Sequence, residues 1–151
     1  MPKASSNNGP HRFVVALSDL AFETLNAKFP ASRSSNDIGK RAVEIVKVHF
    51  ASIHPGCRFP QPPKGADLSV LASGDLKPTP FEVKGTADAD IAWQQLKVSS
   101  RTSYELLVNG GAAVLRVTDV FGRKPAVYEL RHGRDFKLEP EPRWCVKPVR
   151  A

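Results

Sequence analysis

The chain has 151 residues, 41% of them hydrophobic and 25% charged, a globular composition that excludes a wholly disordered chain. A domain of this length buries a core without staples, and no stretch approaches the ~18 uninterrupted apolar residues of a membrane span, so no membrane partner is expected. With 22 Lys and Arg against 15 Asp and Glu the net charge is +7, which suits a polyanionic partner.

Residues 1–10 are rich in Ser, Asn, Gly and Pro and read as a disordered tail with no apolar run of a secretory signal. Residues 11–35 form an N-terminal extension. It starts with an apolar run over 11–17 that reads as a strand. A helix capped by Ser18 follows over 19–29, with Ala21, Phe22, Leu25 and Phe29 on one stripe, and Pro30 stops it. Asn36 or Asp37 opens a second helix to Phe50, with Ile38, Ala42, Ile45, Val46 and His49 on its apolar stripe. Residues 51–65 hold four prolines and two glycines and form a connector, with one short strand near 57–59.

Residues 66–72 and 79–84 alternate as strands on either side of turn residues and pair as a hairpin. Residues 91–98 are ambiguous between strand and helix, and strand is the reading taken. Ser99 or Ser100 caps a helix to Val108, which Asn109-Gly110-Gly111 ends. Two more strands follow over 112–120 and 125–130, and residues 132–151 form a basic, proline-containing tail. This order predicts an α/β or α+β fold, a central mixed sheet flanked by helices.

Charge is unevenly placed. Residues 1–50 hold seven basic and four acidic side chains, residues 51–120 seven of each, and residues 121–151 eight and four. Acids concentrated between basic flanks suit a metal-dependent enzyme acting on phosphates, and equally an ordinary basic protein. Alternation along the hairpin sets Leu68, Val70 and Ala72 on one face and Asp67 and Ser69 on the other. On the second strand Phe81 and Val83 share a face, leaving Glu82 and Lys84 opposite. Pairing the apolar faces brings Asp67, Glu82 and Lys84 to one side. Two close carboxylates repel, and a hard divalent cation such as Mg2+ or Mn2+ relieves that repulsion. A neighbouring ammonium orients or helps deprotonate an attacking water and stabilises charge on a phosphate.

Asp67 followed fifteen residues later by Glu82-Val-Lys84 resembles the PD-(D/E)XK nuclease superfamily, the restriction-endonuclease-like fold. Phe81-Glu-Val-Lys-Gly-Thr86, followed by a capped helix and two strands, is similar to the family of domains found at the C-terminus of the NO VEIN protein and in its bacterial relatives. The resemblance covers residues 36–131 and implies a restriction-endonuclease-like core there. It implies that Asp67, Glu82 and the Val83 backbone carbonyl bind the metal and that Lys84 assists the attacking water. It adds Glu44, from the first helix of that core, and Gln95 as further site residues. The implied activity is metal-dependent endonuclease cleavage of phosphodiester bonds, with DNA as the expected substrate. Ala66 stands where many members have proline, at a variable position.

Arg101, Arg116, Arg123 and Lys124, with Arg131, Arg134, Lys137, Arg143, Lys147 and Arg150, are candidates for a phosphate backbone, or solvated surface charges. Trp93 and Tyr104 suit base stacking, or a place in the core. His49, His54 and Cys57 lack the paired spacing of a soft-metal site. Ser99, Ser100 and Ser103 read as helix caps rather than nucleophiles. Cys57 and Cys145 are too few for a disulfide framework and read as free thiols in a reducing cytoplasm. A domain this small has little room to read sequence, which points to a homodimer or a targeting partner protein. Two rivals stand beside the nuclease. One is the same fold without activity, acting as a nucleic-acid-binding or assembly module. The other is a ribbon-helix-helix regulator through residues 12–50, although beyond Arg12 its DNA face would carry no base-reading side chain.

Overall fold

Three serines start the three helices. In the computed structural model, which describes residues 9–142 and 146–149, Ser18 Oγ accepts from Ala21 N at 3.1 Å and opens α1 (Asp19–Lys28). Ser34 Oγ accepts from Asp37 N at 3.3 Å and opens α2 (Ser35–Ile53). Ser100 Oγ accepts from Ser103 N at 3.0 Å and opens α3 (Arg101–Val108). Each hydroxyl satisfies one of the orphan donors of a first helical turn. The cap of α2 is Ser34 rather than Asn36 or Asp37, and the helix runs three residues past Phe50 because no breaker intervenes before Pro55. Most of the expected N-terminal tail, together with Arg143, Cys145 and Arg150, lies outside the described residues.

Five strands form one mixed sheet: β1 (His11–Val14), β2 (Leu68–Val70), β3 (Thr79–Gly85), β4 (Ala113–Thr118) and β5 (Ala126–Leu130), in the order β1-β5-β4-β3-β2. Only β3 and β4 run parallel, and α3 lies in the crossover between them, as a parallel pair requires. The architecture is α+β. β1 spends one edge on β5 of the same chain and so joins the main sheet rather than standing as a separate ribbon. The strand expected near 57–59 is a single bridge from Arg58 to Leu71.

The strand expected over residues 91–98 does not form. A single 3-10 turn, Trp93–Gln95, stands in its place, entered through Ala92 at φ 51°. The physical reason is packing. Leu96 and Val98 join the apolar cluster on the sheet's face, and Arg116 takes the Ile91 carbonyl, so these residues do not pair along a strand.

Alternation divides the sheet into two layers. Leu68, Val70, Phe81, Val83, Leu115 and Val117 face one core, which Leu25 of α1 and Ala42, Ile45 and Val46 of α2 complete. Val114 and Leu130 face the other, beneath Leu107 of α3 and beside Leu96, Val98 and Phe136.

Arg41, on α2, is fully buried in the first layer. Its Nε donates to the Val120 carbonyl at 2.7 Å, and its Nη1 to Asn26 Oδ1 at 2.8 Å and to the Phe29 carbonyl at 2.9 Å. The rings of Phe121 and Phe22 lie 5.1 and 5.9 Å from the guanidinium. Carbonyl dipoles and ring faces stand in for a counter-ion, tying the end of α1 and the β4–β5 turn to α2. Arg41→Met should lower stability by about 2–4 kcal/mol, because the buried Val120 carbonyl loses its donor. Urea denaturation of the two proteins checks this.

Candidate active site

β2 and β3 part company where the acidic residues begin. One step beyond the Leu68–Phe81 pair the antiparallel register sets Asp67 opposite Glu82. Asp67 N donates to the Phe81 carbonyl at 2.9 Å, and Asp67 Oδ2 accepts from Val83 N at 2.8 Å. The carboxylate thus takes a ladder position that a backbone carbonyl would otherwise fill. The N–H and C=O of one strand residue point to the same edge, so the Val83 carbonyl is turned toward Asp67 as well.

Glu82 lies one residue along, on the face opposite Phe81 and Val83. It is 7% exposed, and its Oε2 has no hydrogen-bond partner among the described residues. Burial pushes its carboxyl above the ordinary glutamate range. The ammonium of Lys84 pulls it back, and the charge of Asp67 adds to the rise. Asp67 itself is exposed and Lys84 half-buried, so the constellation runs from solvent into the sheet. The structure brings Asp67, Glu82 and Lys84 together.

Two glycines allow the approach. Gly65, at φ 95°, lies against the first turn of α3, where an added Cβ would be 2.8 Å from the Thr102 backbone. Ser103 Oγ donates to the Gly65 carbonyl at 2.8 Å, fixing the loop that leads into Asp67. Gly85 follows Lys84, where an added Cβ would be 2.8 Å from Ala42 Cβ on α2. Ser103 is a site neighbour that the capping pattern hid. Its signal was a small polar residue on the same buried face of α3 as Leu107.

Other expected site residues lie elsewhere. Glu44 pairs with Lys47 at 3.4 Å, on a helix whose buried stripe packs on the opposite layer from Glu82. Gln95 stands in the 3-10 turn. Its Oε1 accepts from Thr86 Oγ1 at 3.0 Å and from Arg116 Nη2 at 3.1 Å, and its Nε2 donates to Asp88 Oδ2 at 2.9 Å. Arg116 is 2% exposed and takes no part in a surface. Its Nε donates to the Ile91 carbonyl at 2.8 Å and its Nη1 to the Gly85 carbonyl at 3.0 Å, so it clamps the connector onto β3. A guanidinium spent on buried acceptors is not available to a phosphate backbone.

Arg123 turns toward α1, pairing with Asp19 at 2.7 Å and lying 4.4 Å from the Phe22 ring. Lys124 is exposed on the same turn, and Arg101 is exposed in the first turn of α3. Arg131 and Arg134 pair with Glu129, and Arg134 also with Asp135. Trp93 and Tyr104 are 47% and 43% exposed, outside the core. His49 and His54 lie against Phe13 and Phe50, and Cys57 is a half-buried free thiol. Among the described residues no three His, Cys, Asp or Glu side chains gather as a metal cluster, and no helix is long and apolar enough to cross a membrane.

A cavity of about 150 Å3 opens beside Glu82 and Lys84, between the sheet and the segment around Phe136. The Glu82 carboxyl forms part of its wall.

The raised Glu82 carboxyl carries a pH signature. Folded protein holds this proton more tightly than unfolded protein does. Its contribution is therefore full below the ordinary glutamate pKa of about 4.3 and is lost as pH rises through the raised value. Glu82→Gln cannot ionise, so its stability relative to wild type should climb over that window and level off above it. Urea midpoints of both proteins from pH 4 to pH 8 check the sign. No family model matches the chain, and neither a curated protein nor a solved structure matches it.

Proposed function

We propose that the chain is a metal-dependent nuclease of the PD-(D/E)XK type, with α2, β2, β3, α3 and β4 as a restriction-endonuclease-like core. The observation that carries this reading is Glu82. A carboxyl that is nine-tenths buried, with one oxygen unpartnered, next to a second carboxylate, is costly in a protein that uses it for nothing. The donor types fit a hard divalent cation: a carboxylate and a carbonyl at the edge of β3 and a second carboxylate on its adjoining face, all oxygen. Asp67 and Glu82, with the Val83 carbonyl, would hold Mg2+ or Mn2+, and the ion would supply Lewis-acid polarisation of the phosphoryl oxygens.

The remaining work falls to the chain itself. Asp67 is oriented by Val83 N, which holds its Oδ2, and the residue is exposed to solvent. Lys84, two residues after Glu82 on the same face, orients the attacking water and takes up charge that builds on the phosphate. The partner is nucleic acid, with DNA as the substrate, and the surplus of basic side chains supplies attraction independent of sequence.

The second reading is the same fold binding nucleic acid without cutting it. It is favoured because, among the described residues, no third acidic side chain joins the pair, and Glu44 is held by Lys47 on the other layer.

Plasmid and single-stranded DNA should be cleaved in Mg2+ or Mn2+ by wild type, and Lys84→Ala should lose at least about a hundredfold in rate. Undiminished cleavage by Lys84→Ala overturns the role given to that lysine. A thermal melt separates metal binding from chemistry. Mn2+ at a hundred times its Kd should stabilise wild type by about 2.7 kcal/mol and leave Glu82→Gln unmoved. A Mn2+ shift without cleavage transfers the assignment to the binding module.

A further inference from the structure

We propose that the cavity beside Glu82 and Lys84 receives one unstacked base of a single-stranded nucleic acid, which makes single strands the preferred substrate. The inference rests on the nuclease reading for the position of the phosphate and on the cavity for everything else.

The cavity's chemistry is divided. Val114 and Leu130, 5% and 1% exposed, form its floor on the sheet. Trp93, Leu96, Phe136 and Leu138 also line it. These apolar residues make up most of the lining, beside Glu82 and the lysines. They suit a flat group with apolar faces, and in a nucleic acid that group is the base. Lys84, Lys97 and Lys137 also line the cavity, a cationic set for the phosphates that flank an inserted base.

Two of these lysines already have partners. Lys97 pairs with Glu141, and Lys137 with Glu139 at 3.0 Å. All four side chains are roughly half exposed or more, so each pair is worth about 0–1 kcal/mol and a phosphate can replace the carboxylate.

Size decides the rest. Pockets for whole drug-sized ligands run from about 300 to 1,000 Å3. At about 150 Å3 this one suits a single ring system, and a wider cleft of about 720 Å3 shares Leu96, Lys97, Val98, Lys137 and Leu138 with it, with room for the neighbouring nucleotides. A duplex keeps its bases stacked and paired, and it would have to flip one out at a cost of a few kcal/mol. A single strand offers its bases without that cost.

The test uses the full chain in EDTA, where no chemistry occurs. Fluorescence anisotropy of a short labelled oligodeoxythymidine is compared with that of a duplex of the same length. Wild type should bind the single strand more tightly, and its tryptophan fluorescence should fall on binding. Trp93→Ala should lose about tenfold in single-strand affinity, lose the quench, and keep its duplex affinity. Trp93 is half exposed, so the variant should keep the wild-type melting midpoint, which controls for folding. Equal single-strand affinity in the two proteins, or a duplex bound as tightly as the single strand by wild type, overturns the proposal. The two readings fail separately. Lys84-dependent cleavage with binding indifferent to Trp93 keeps the nuclease and removes the base pocket. Trp93-dependent binding without cleavage keeps the pocket and removes the nuclease.

Discussion

β3 pairs with β2 over its first residues and with β4 over its last, crossing the sheet between two helical layers, and the rest of the molecule is arranged around that strand. β2 and β4 take its edges. Phe81 and Val83 enter the core beneath α2, while Glu82 and Lys84 face the opposite layer. A strand buried on both sides ordinarily reads as continuously apolar. Here alternate positions carry charge into the protein, and the cost falls on Glu82, which is desolvated with one oxygen unpartnered. Gly85, directly after Lys84, is the point where the backbone meets α2 with no room for a side chain.

Two buried guanidiniums hold the two layers by the same physics. Arg41 collects the end of α1 and the β4–β5 turn on the α2 side. Arg116 collects the connector before α3 on the other. Among the described residues neither forms an ion pair with a carboxylate, and burial lowers the pKa of both. Each spends its planar fork on backbone carbonyls that have no strand partner, so irregular segments remain satisfied inside the protein. The connector held by Arg116 carries Trp93 and Leu96 to the wall of the cavity beside Glu82.

Much of the fold was legible because its signals are local. Helix starts follow from Ser18 and Ser100, and the faces of β2 and β3 follow from period-two alternation. The pairing of Asp67 with Glu82 and Lys84 was legible for the same reason, since two short strands and a turn leave little freedom in register. Gln95 and Arg116 were not legible as they stand. Their surroundings come from residues far along the chain, whereas Glu44 meets Lys47 three residues on, as its place opposite the apolar stripe of α2 suggests. The strand expected over residues 91–98 failed because an apolar run of that length specifies burial without specifying a ladder.

The sequence by itself determined the helix caps, the alternation of faces and the grouping of one acid with a Glu-X-Lys strand, because each depends on neighbours within a turn or a hairpin. Only the tertiary structure decided which charges are buried, that Arg116 faces inward, that Ser103 meets Gly65, and that Trp93 and Phe136 enclose a cavity beside Glu82. Those outcomes depend on the order of strands in the sheet and on the parallel crossover through α3. They bring together residues separated by tens of positions, where no local pattern carries information about contact.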